Sequence, residues 1–256
     1  MLGKSGKAGS RAFQLRLDSK RIDCFPIFGL TLRSLPYSNA HVKIMRAFGL
    51  LIGRFLVVYL PAFTVVAALR ISIDRAVPTI IGITTIAACL AIFVSVKSKK
   101  GTLVNFGLHL PKTRYIGYAF ALGLPFAVLI AVVLTQIREP GPLAGLHIAS
   151  WLTLAYFGLA APVQEEIIFR GLLQGGLNTD LLSAGLSGAK ASRTAVVVVA
   201  LLFTLIHLEV GPVTAVGACV LGILAGELRR RSSSLVPAIL CHMMFNLAGM
   251  YYSIRG

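Results

Sequence analysis

Two adjacent carboxylates, Glu165 and Glu166, lie in an apolar stretch in the second half of the sequence, and Arg170 follows Glu166 by four residues. Residues four apart share one face of a helix, so this spacing predicts a charge-assisted pair between Glu166 and Arg170. Glu165 then points about 100° away from Glu166. Glu165 is therefore the carboxylate left for chemistry, and a carboxylate that accepts a proton from water is a general base.

Two histidines and an asparagine lie on the next and the last apolar stretches. His207 is near the end of the stretch that follows the glutamates, and His242 and Asn246 are one helical turn apart on the last. A single histidine in a membrane helix is as often structural as functional. Three helices that each carry costly polar groups indicate a shared site, however, and this set supplies a base, orienting groups and oxyanion donors for hydrolysis.

A metal mechanism stays open on the same residues. A glutamate and two histidines, here Glu165, His207 and His242, are a common catalytic zinc set that leaves one position for water. The sequence has no HExxH helix, and the three residues come from separate apolar stretches. The favoured prediction is a metal-free glutamate base without a cofactor, and a zinc metalloprotease is the alternative.

The elements that position these residues are predicted to be transmembrane helices. The chain has 256 residues, 56% hydrophobic and 13% charged, with a mean hydropathy of +0.82, which excludes an ordinary soluble domain. At about 20 apolar residues per crossing, the length admits about seven or eight helices. The predicted fold class is an all-α, polytopic transmembrane helix bundle. Seven apolar spans are predicted, at Ala47–Leu69, Ala76–Val96, Tyr115–Gln136, Ala149–Leu177, Thr194–Leu208, Pro212–Leu228 and Leu235–Ile254.

The net charge of +16, from 25 Lys and Arg against 9 Asp and Glu, is interpreted as topology rather than nucleic-acid binding. Basic residues that flank apolar helices orient them and attract anionic lipids. A cytoplasmic N-terminus leaves only four basic residues beyond the tail on the outer side, namely Arg70, Arg75, Arg138 and Arg255. Those predicted on the cytoplasmic side are Lys97, Lys99, Lys100, Lys112, Arg114, Lys190, Arg193 and Arg229 to Arg231.

Two regions are predicted along the chain. Residues 1–45 are a basic, flexible cytoplasmic tail, and residues 46–256 form the transmembrane domain. Because Met45 and Arg46 directly precede the first span, a start at Met45 is an alternative to Met1.

Three ordered motifs together resemble the CPBP family of intramembrane endopeptidases, which includes the type II CAAX prenyl proteases and bacteriocin-processing relatives. The motifs are Glu165-Glu166-Ile167-Ile168-Phe169-Arg170-Gly171, then Phe203 with His207, then His242 with Asn246. The resemblance implies a protease-like core at about 149–250. It also implies that Glu165 activates water with His207, that His242 and Asn246 stabilise the oxyanion, and that Glu166 with Arg170 supports the site.

The resemblance implies a peptide or protein substrate, with or without a lipid modification, for CAAX-type C-terminal processing or for trimming leaders and bacteriocins. Membrane lipids are the other expected partner, nucleic acid is not, and the expected location is a bacterial inner membrane. A proton- or ion-relaying transporter and a non-enzymatic scaffold are the competing classes. No paired, Gly-broken half-helices favour transport, and a scaffold would tolerate Glu165→Ala.

One feature of the predicted spans conflicts with a shared site. At about 1.5 Å per residue, Glu165 lies about 24 Å along its span, and His207 about 20 Å along the next, antiparallel one. In two level antiparallel spans these depths do not meet. Either the glutamate helix is long and tilted, or the predicted ends are wrong by a turn.

Overall fold

The computed structural model describes residues 40–71, 73–97, 103–137 and 154–255, with the side chains of 73–78, 95, 134, 137, 209 and 251–255 left aside. All of these residues belong to one compact unit, Pro36–Gly256. Seven helices account for most of them: α1 (Ala40–Ala68), α2 (Ile73–Lys97), α3 (Thr113–Ile137), α4 (residues 154–183), α5 (Gly188–Leu205), α6 (Pro212–Ser232) and α7 (Val236–Arg255).

The predicted all-α helix bundle is confirmed, since the described ranges contain these helices and no strand. Helix α1 begins at Ala40, so residues 40–45 of the predicted tail are helical. The rest of that tail, residues 1–39, and the predicted start of the fourth span at Ala149 lie outside the described residues.

Four described helical stretches are long and apolar enough to cross a membrane: Ala40–Ala68, Thr113–Val133, Gly188–Leu205 and Pro212–Ser232. Large apolar side chains point outward in α1, where Ile52, Leu56 and Leu60 are 56%, 47% and 57% exposed. In water this surface would be strongly unfavourable, whereas helices satisfy their own backbone hydrogen bonds and can present such side chains to lipid.

Helix α4 is the central element, because it packs against α1, α2, α5, α6 and α7. It is not a uniform α-helix: π-helical turns at Leu154–Ala160 and Ile167–Gln174 flank an α-helical turn at Ala161–Glu166 and precede another α-helical stretch, Gly175–Ser183. A π-turn widens the helix, and such turns occur frequently at functional sites. The paired glutamates thus end a short α-helical stretch between two wide ones.

Two glycines let α6 lie close to its neighbours. A Cβ at Gly222 would lie only 3.0 Å from the Cβ of Ala200 on α5, and one at Gly226 would lie 3.0 Å from a valine side chain of α5. The carbonyl groups of the same glycines accept hydrogen bonds from Arg170, at 3.3 Å, and Gln174, at 3.0 Å. Arg170 and Gln174, four residues apart on α4, therefore pair with Gly222 and Gly226, four residues apart on α6, and these bonds fix which face of α4 lies against α6.

Candidate active site

Glu166 is fully buried between α4 and α7 and contacts a cation or ring nitrogen with each carboxylate oxygen. Its Oε2 lies 3.1 Å from Nε of Arg170, so the pair predicted from the four-residue spacing is formed. Its Oε1 accepts a hydrogen bond from Nδ1 of His242 at 2.9 Å. Spacing within one helix could not predict this third member, which lies 76 residues further along the chain.

Arg170 is held on three sides. Besides Glu166, its Nη2 donates to the Gly222 carbonyl at 3.3 Å, and its guanidinium carbon lies 4.7 Å from the centre of the Phe203 ring. A buried ion pair is expensive to desolvate, and removing one partner leaves an uncompensated charge. The conformation of this part of α4 therefore depends on the pair remaining intact.

The ring of His242 is oriented by Glu166. A carboxylate only accepts hydrogen bonds, so Nδ1 of His242 carries the proton, and the opposite ring nitrogen, Nε2, faces Glu165. Nε2 lies 3.8 Å from Oε2 of Glu165, too far for a direct hydrogen bond but suited to a bridging water. Phe203 packs edge-to-face on the ring at 5.7 Å between centroids and restricts its rotation.

Glu165 differs from its neighbour in exposure and in hydrogen bonding. Its side chain is 18% exposed, whereas that of Glu166 is 0% exposed. Within the described ranges, Oε2 of Glu165 is buried and has no hydrogen-bond partner. Glu165 lines a cavity of about 310 Å³, so its carboxylate faces space that a substrate and a water molecule can enter.

His207 and Asn246 line the same cavity as Glu165 and His242. Nδ1 of His207 lies 2.8 Å from the carbonyl oxygen of Phe203, and because a carbonyl only accepts, Nε2 of a neutral ring is left as an acceptor. Nδ2 of Asn246 donates to the Phe157 carbonyl at 2.8 Å, which leaves its second N–H free to donate elsewhere. The structure thus brings the four predicted catalytic side chains around one cavity.

The mismatch in depth between Glu165 and His207 came from errors in the predicted ends of their spans. Helix α4 continues to Ser183, past the predicted end at Leu177, and α5 begins at Gly188, before the predicted start at Thr194. Counted from the shared turn, Glu165 precedes Ser183 by as many residues, to within one, as His207 follows Gly188. In antiparallel helices equal counts mean equal depth.

The walls of this cavity are mostly apolar and come from the first helices as well as the last. They include Tyr59, Phe63, Ile80, Ile81, Ile130, Phe157, Phe245 and Met250. The sequence could not single these out, because an apolar residue on a membrane helix carries no signal of whether it faces lipid or a cavity.

Gln164 and Thr84 are polar wall residues that the sequence interpretation missed. Thr84 is fully buried and donates to the Ile80 carbonyl at 2.8 Å, so its hydroxyl can only accept the bond from Nε2 of Gln164, at 2.7 Å. Oε1 of Gln164 is consequently fixed, buried and without a hydrogen-bond partner in the described part of the chain. A glutamine beside two glutamates in an apolar stretch was the available signal.

The residues of the alternative zinc set line the cavity but do not form a ligand cluster. Among the described residues, no three His, Cys, Asp or Glu side chains are grouped so that they could hold a metal ion. The metalloprotease prediction therefore has no support in this geometry.

Comparison with known families locates a domain over these helices. Residues 147–248 match the family model "Type II CAAX prenyl endopeptidase Rce1-like", a range that contains Glu165, His207, His242 and Asn246. No curated protein and no solved structure matches the chain. The family is one of proteases, which implies a peptide or protein substrate and a membrane context. With its four apolar helices, the chain is an integral membrane protein, and its residues 147–248 are similar to the Rce1-like type II CAAX prenyl endopeptidase domain, consistent with the CPBP family.

Proposed function

We propose that the chain is an intramembrane endopeptidase in which Glu165 activates the attacking water. One observation supports this proposal most directly. Oε2 of Glu165 has no hydrogen-bond partner in the described part of the chain and lies 3.8 Å from Nε2 of His242, and Glu165 lines the same cavity as His207 and Asn246. A base with a free lone pair, beside histidine and amide groups in a low-dielectric site, is the arrangement that hydrolysis requires.

The proposed reaction begins with a water molecule between Glu165 and the two histidines. Glu165 takes a proton from the water, and the unprotonated Nε2 of His207 orients it, while the water oxygen attacks the scissile carbonyl carbon. The second N–H of Asn246 and, when the ring is doubly protonated, Nε2–H of His242 donate to the oxyanion. Glu165 then passes its proton to the leaving amine nitrogen as the C–N bond breaks, giving a carboxylic acid and an amine.

Glu166 and Arg170 are positioning residues in this proposal. The carboxylate of Glu166 holds Nδ1 of His242 at 2.9 Å and can stabilise the positive charge of a doubly protonated ring. Arg170 neutralises Glu166 in turn. Loss of either is expected to act through the orientation of His242 rather than through contact with substrate.

Gln164 is proposed to bind the substrate backbone. Its unpaired, fixed Oε1 lies on the cavity wall beside Glu165, and a buried acceptor without a partner is costly. An N–H group of the peptide adjacent to the scissile bond would satisfy it and align the carbonyl carbon with the water.

The proposed substrates are membrane-associated proteins or peptides, cut near a CAAX-type C-terminus or at a leader or bacteriocin junction. Aromatic and aliphatic walls suit an apolar or lipid-modified segment. We further propose that residues 46–256 form the transmembrane domain, that the N-terminus is cytoplasmic and that the protein resides in a bacterial inner membrane, on the distribution of basic residues.

The test is cleavage by detergent-purified protein of a prenylated C-terminal peptide and of an unprenylated leader-like peptide library, with and without a chelator. Glu165→Gln and His207→Ala are compared with Glu227→Gln, a matched control at the far end of α6, where Glu227 binds Arg230 at 2.6 Å. We expect wild type and the control to cleave the substrate equally well with and without the chelator. The two cavity variants should cleave it about 10²–10⁴-fold more slowly. Unchanged cleavage in both cavity variants would contradict the site and favour an activity elsewhere.

A further inference from the structure

A second cavity, of about 360 Å³, is lined by Arg170, which does not line the first cavity. Arg170 lines this cavity, while its partner Glu166 binds His242 on the wall of the first. The walls are polar and basic rather than apolar. The side chains used here are Arg170, Gln174, Asn178, Arg229 and Arg230. No part of the proposed protease mechanism uses this cavity.

The wall of the second cavity carries excess positive charge. Glu166 neutralises Arg170, and the single carboxylate of Glu227 is shared between Arg230 and Arg231. Within the described residues, Arg229 is half-buried and has no carboxylate within ion-pair distance, although it lies beside these arginines. A half-buried cation without a counter-charge favours an anionic ligand.

The guanidinium of Arg229 is fixed in place by the loop before α3. Its Nη2 donates to the Asn105 carbonyl at 2.9 Å, and it packs directly on Gly107, where a Cβ would lie 2.6 Å from Nε. Gly107 also has a φ of 81°, so both the backbone conformation and the close approach require glycine. Leu235 N–H holds this loop through the Gly107 carbonyl at 2.9 Å. The cation is therefore pre-organised before any ligand binds.

Residues around this cavity also have unused hydrogen-bonding capacity. Among the described residues that line it, four buried atoms have neither a hydrogen-bond partner nor an ion pair: Nε of Arg229, Nη1 of Arg170, Oε1 of Gln174 and Oδ1 of Asn178. Gln174 and Arg170 are themselves almost fully buried. Buried polar atoms are normally paired. Two donors and two acceptors call for a ligand that brings anionic oxygens together with a hydrogen-bond donor.

We propose that the second cavity binds a phosphate ester whose polar part also carries a hydroxyl or ammonium donor, such as the head group of phosphatidylglycerol. The phosphate oxygens accept from Arg229 and Arg170, and the donor satisfies Gln174 or Asn178. The cavity lies at the basic end of α6, where phospholipid head groups meet a membrane helix. A soluble phosphate ester shares this chemistry and is separated from the lipid by the test.

The test measures thermal unfolding of the full chain in detergent and phosphate-free buffer, titrated with dihexanoyl phosphatidylglycerol, dihexanoyl phosphatidylcholine or inorganic phosphate. We expect phosphatidylglycerol to raise the unfolding temperature of wild type at the lowest concentration. Arg229→Gln is expected to weaken this binding about tenfold, or about 1.4 kcal/mol. Arg231→Gln makes the same charge change at a residue outside the cavity. Its affinity for phosphatidylglycerol is expected to stay within about twofold of that of wild type.

Asn178→Asp is the second variant, because Arg229→Gln also removes a contact to the loop and can impair folding. It adds a negative charge to the cavity and keeps the arginine, and we expect it to weaken phosphatidylglycerol binding at least as much. Arg229-dependent stabilisation by inorganic phosphate at equal concentration supports the site and assigns it to a soluble ester. Three results would each overturn the proposal. They are an equal loss of phosphatidylglycerol binding in the Arg229 and Arg231 variants, binding of phosphatidylcholine as tight as that of phosphatidylglycerol, and no stabilisation by any probe.

Discussion

The two faces of α4 at the level of the paired glutamates differ in how much of their bonding capacity is used. On one face Glu166 contacts Arg170 and His242, at 3.1 and 2.9 Å, and is sealed from solvent. On the other, Glu165 faces the first cavity with Oε2 unbonded. Two adjacent residues of one type thus differ in environment: one links α4 to α7, and the other is available to react.

The largest effect that tests this contrast is on activity. We expect Glu165→Gln to slow cleavage about 10²–10⁴-fold while the unfolding temperature in detergent stays near that of wild type, because no partner of Glu165 is left unpaired. Glu166→Gln should instead lower the unfolding temperature. Parallel melting and cleavage curves for the two variants measure this, and a large drop in melting temperature for Glu165→Gln would mean that its face is structural too.

The next effect is on stability. Arg170→Met removes one member of a fully buried pair, and leaving Glu166 uncompensated is expected to cost about 3–5 kcal/mol. The double variant Glu166→Leu with Arg170→Met removes both charges and should recover most of that loss. It should still cleave slowly, since His242 has lost the acceptor that orients it. Recovery of both stability and activity would mean that the pair does not position His242.

The helices and the Glu166–Arg170 pair could be predicted from sequence because each is a local pattern. A run of about 20 apolar residues defines a span, and a spacing of four defines a helical face. The helix ends were less predictable. Helix α4 ends at Ser183 and α5 begins at Gly188, in a polar stretch containing alanine and glycine that no hydropathy pattern marks. The difference between the predicted and the observed helix ends produced the false mismatch in depth between Glu165 and His207.

The remaining features depend on contacts between distant residues. The Glu166–His242 bond joins α4 to α7, and the Gln164–Thr84 bond joins α4 to α2; neither leaves a trace in local spacing. The π-turns of α4 were also unpredicted, because their cost is offset only by packing against the surrounding helices. Sequence therefore indicated candidate residues for the chemistry, but not what fixes their orientation.

A smaller effect is expected at the oxyanion position. Asn246→Ala should lower kcat about 10²–10³-fold, because an amide donor that meets the developing charge contributes most in the transition state. KM should change little. Asn246→Asp keeps the size of the side chain but cannot donate in its ionised form, so it should slow cleavage as much as Asn246→Ala does. A rise in KM with unchanged kcat would assign Asn246 to substrate binding instead.

The smallest effect concerns the packing that sets the two faces of α4. Gly222→Ala places a Cβ 3.0 Å from that of Ala200 and should cost about 1–3 kcal/mol by pushing α6 away from α5. The Gly222 carbonyl would move with α6 and lengthen its 3.3 Å bond to Arg170, so cleavage should fall by less than in Arg170→Met. Gly82→Ala on α2 is the control, since no atom lies within 4 Å of its added Cβ. Equal melting temperatures for the two glycine variants would mean that close approach of α6 does not hold the Glu166 face in place.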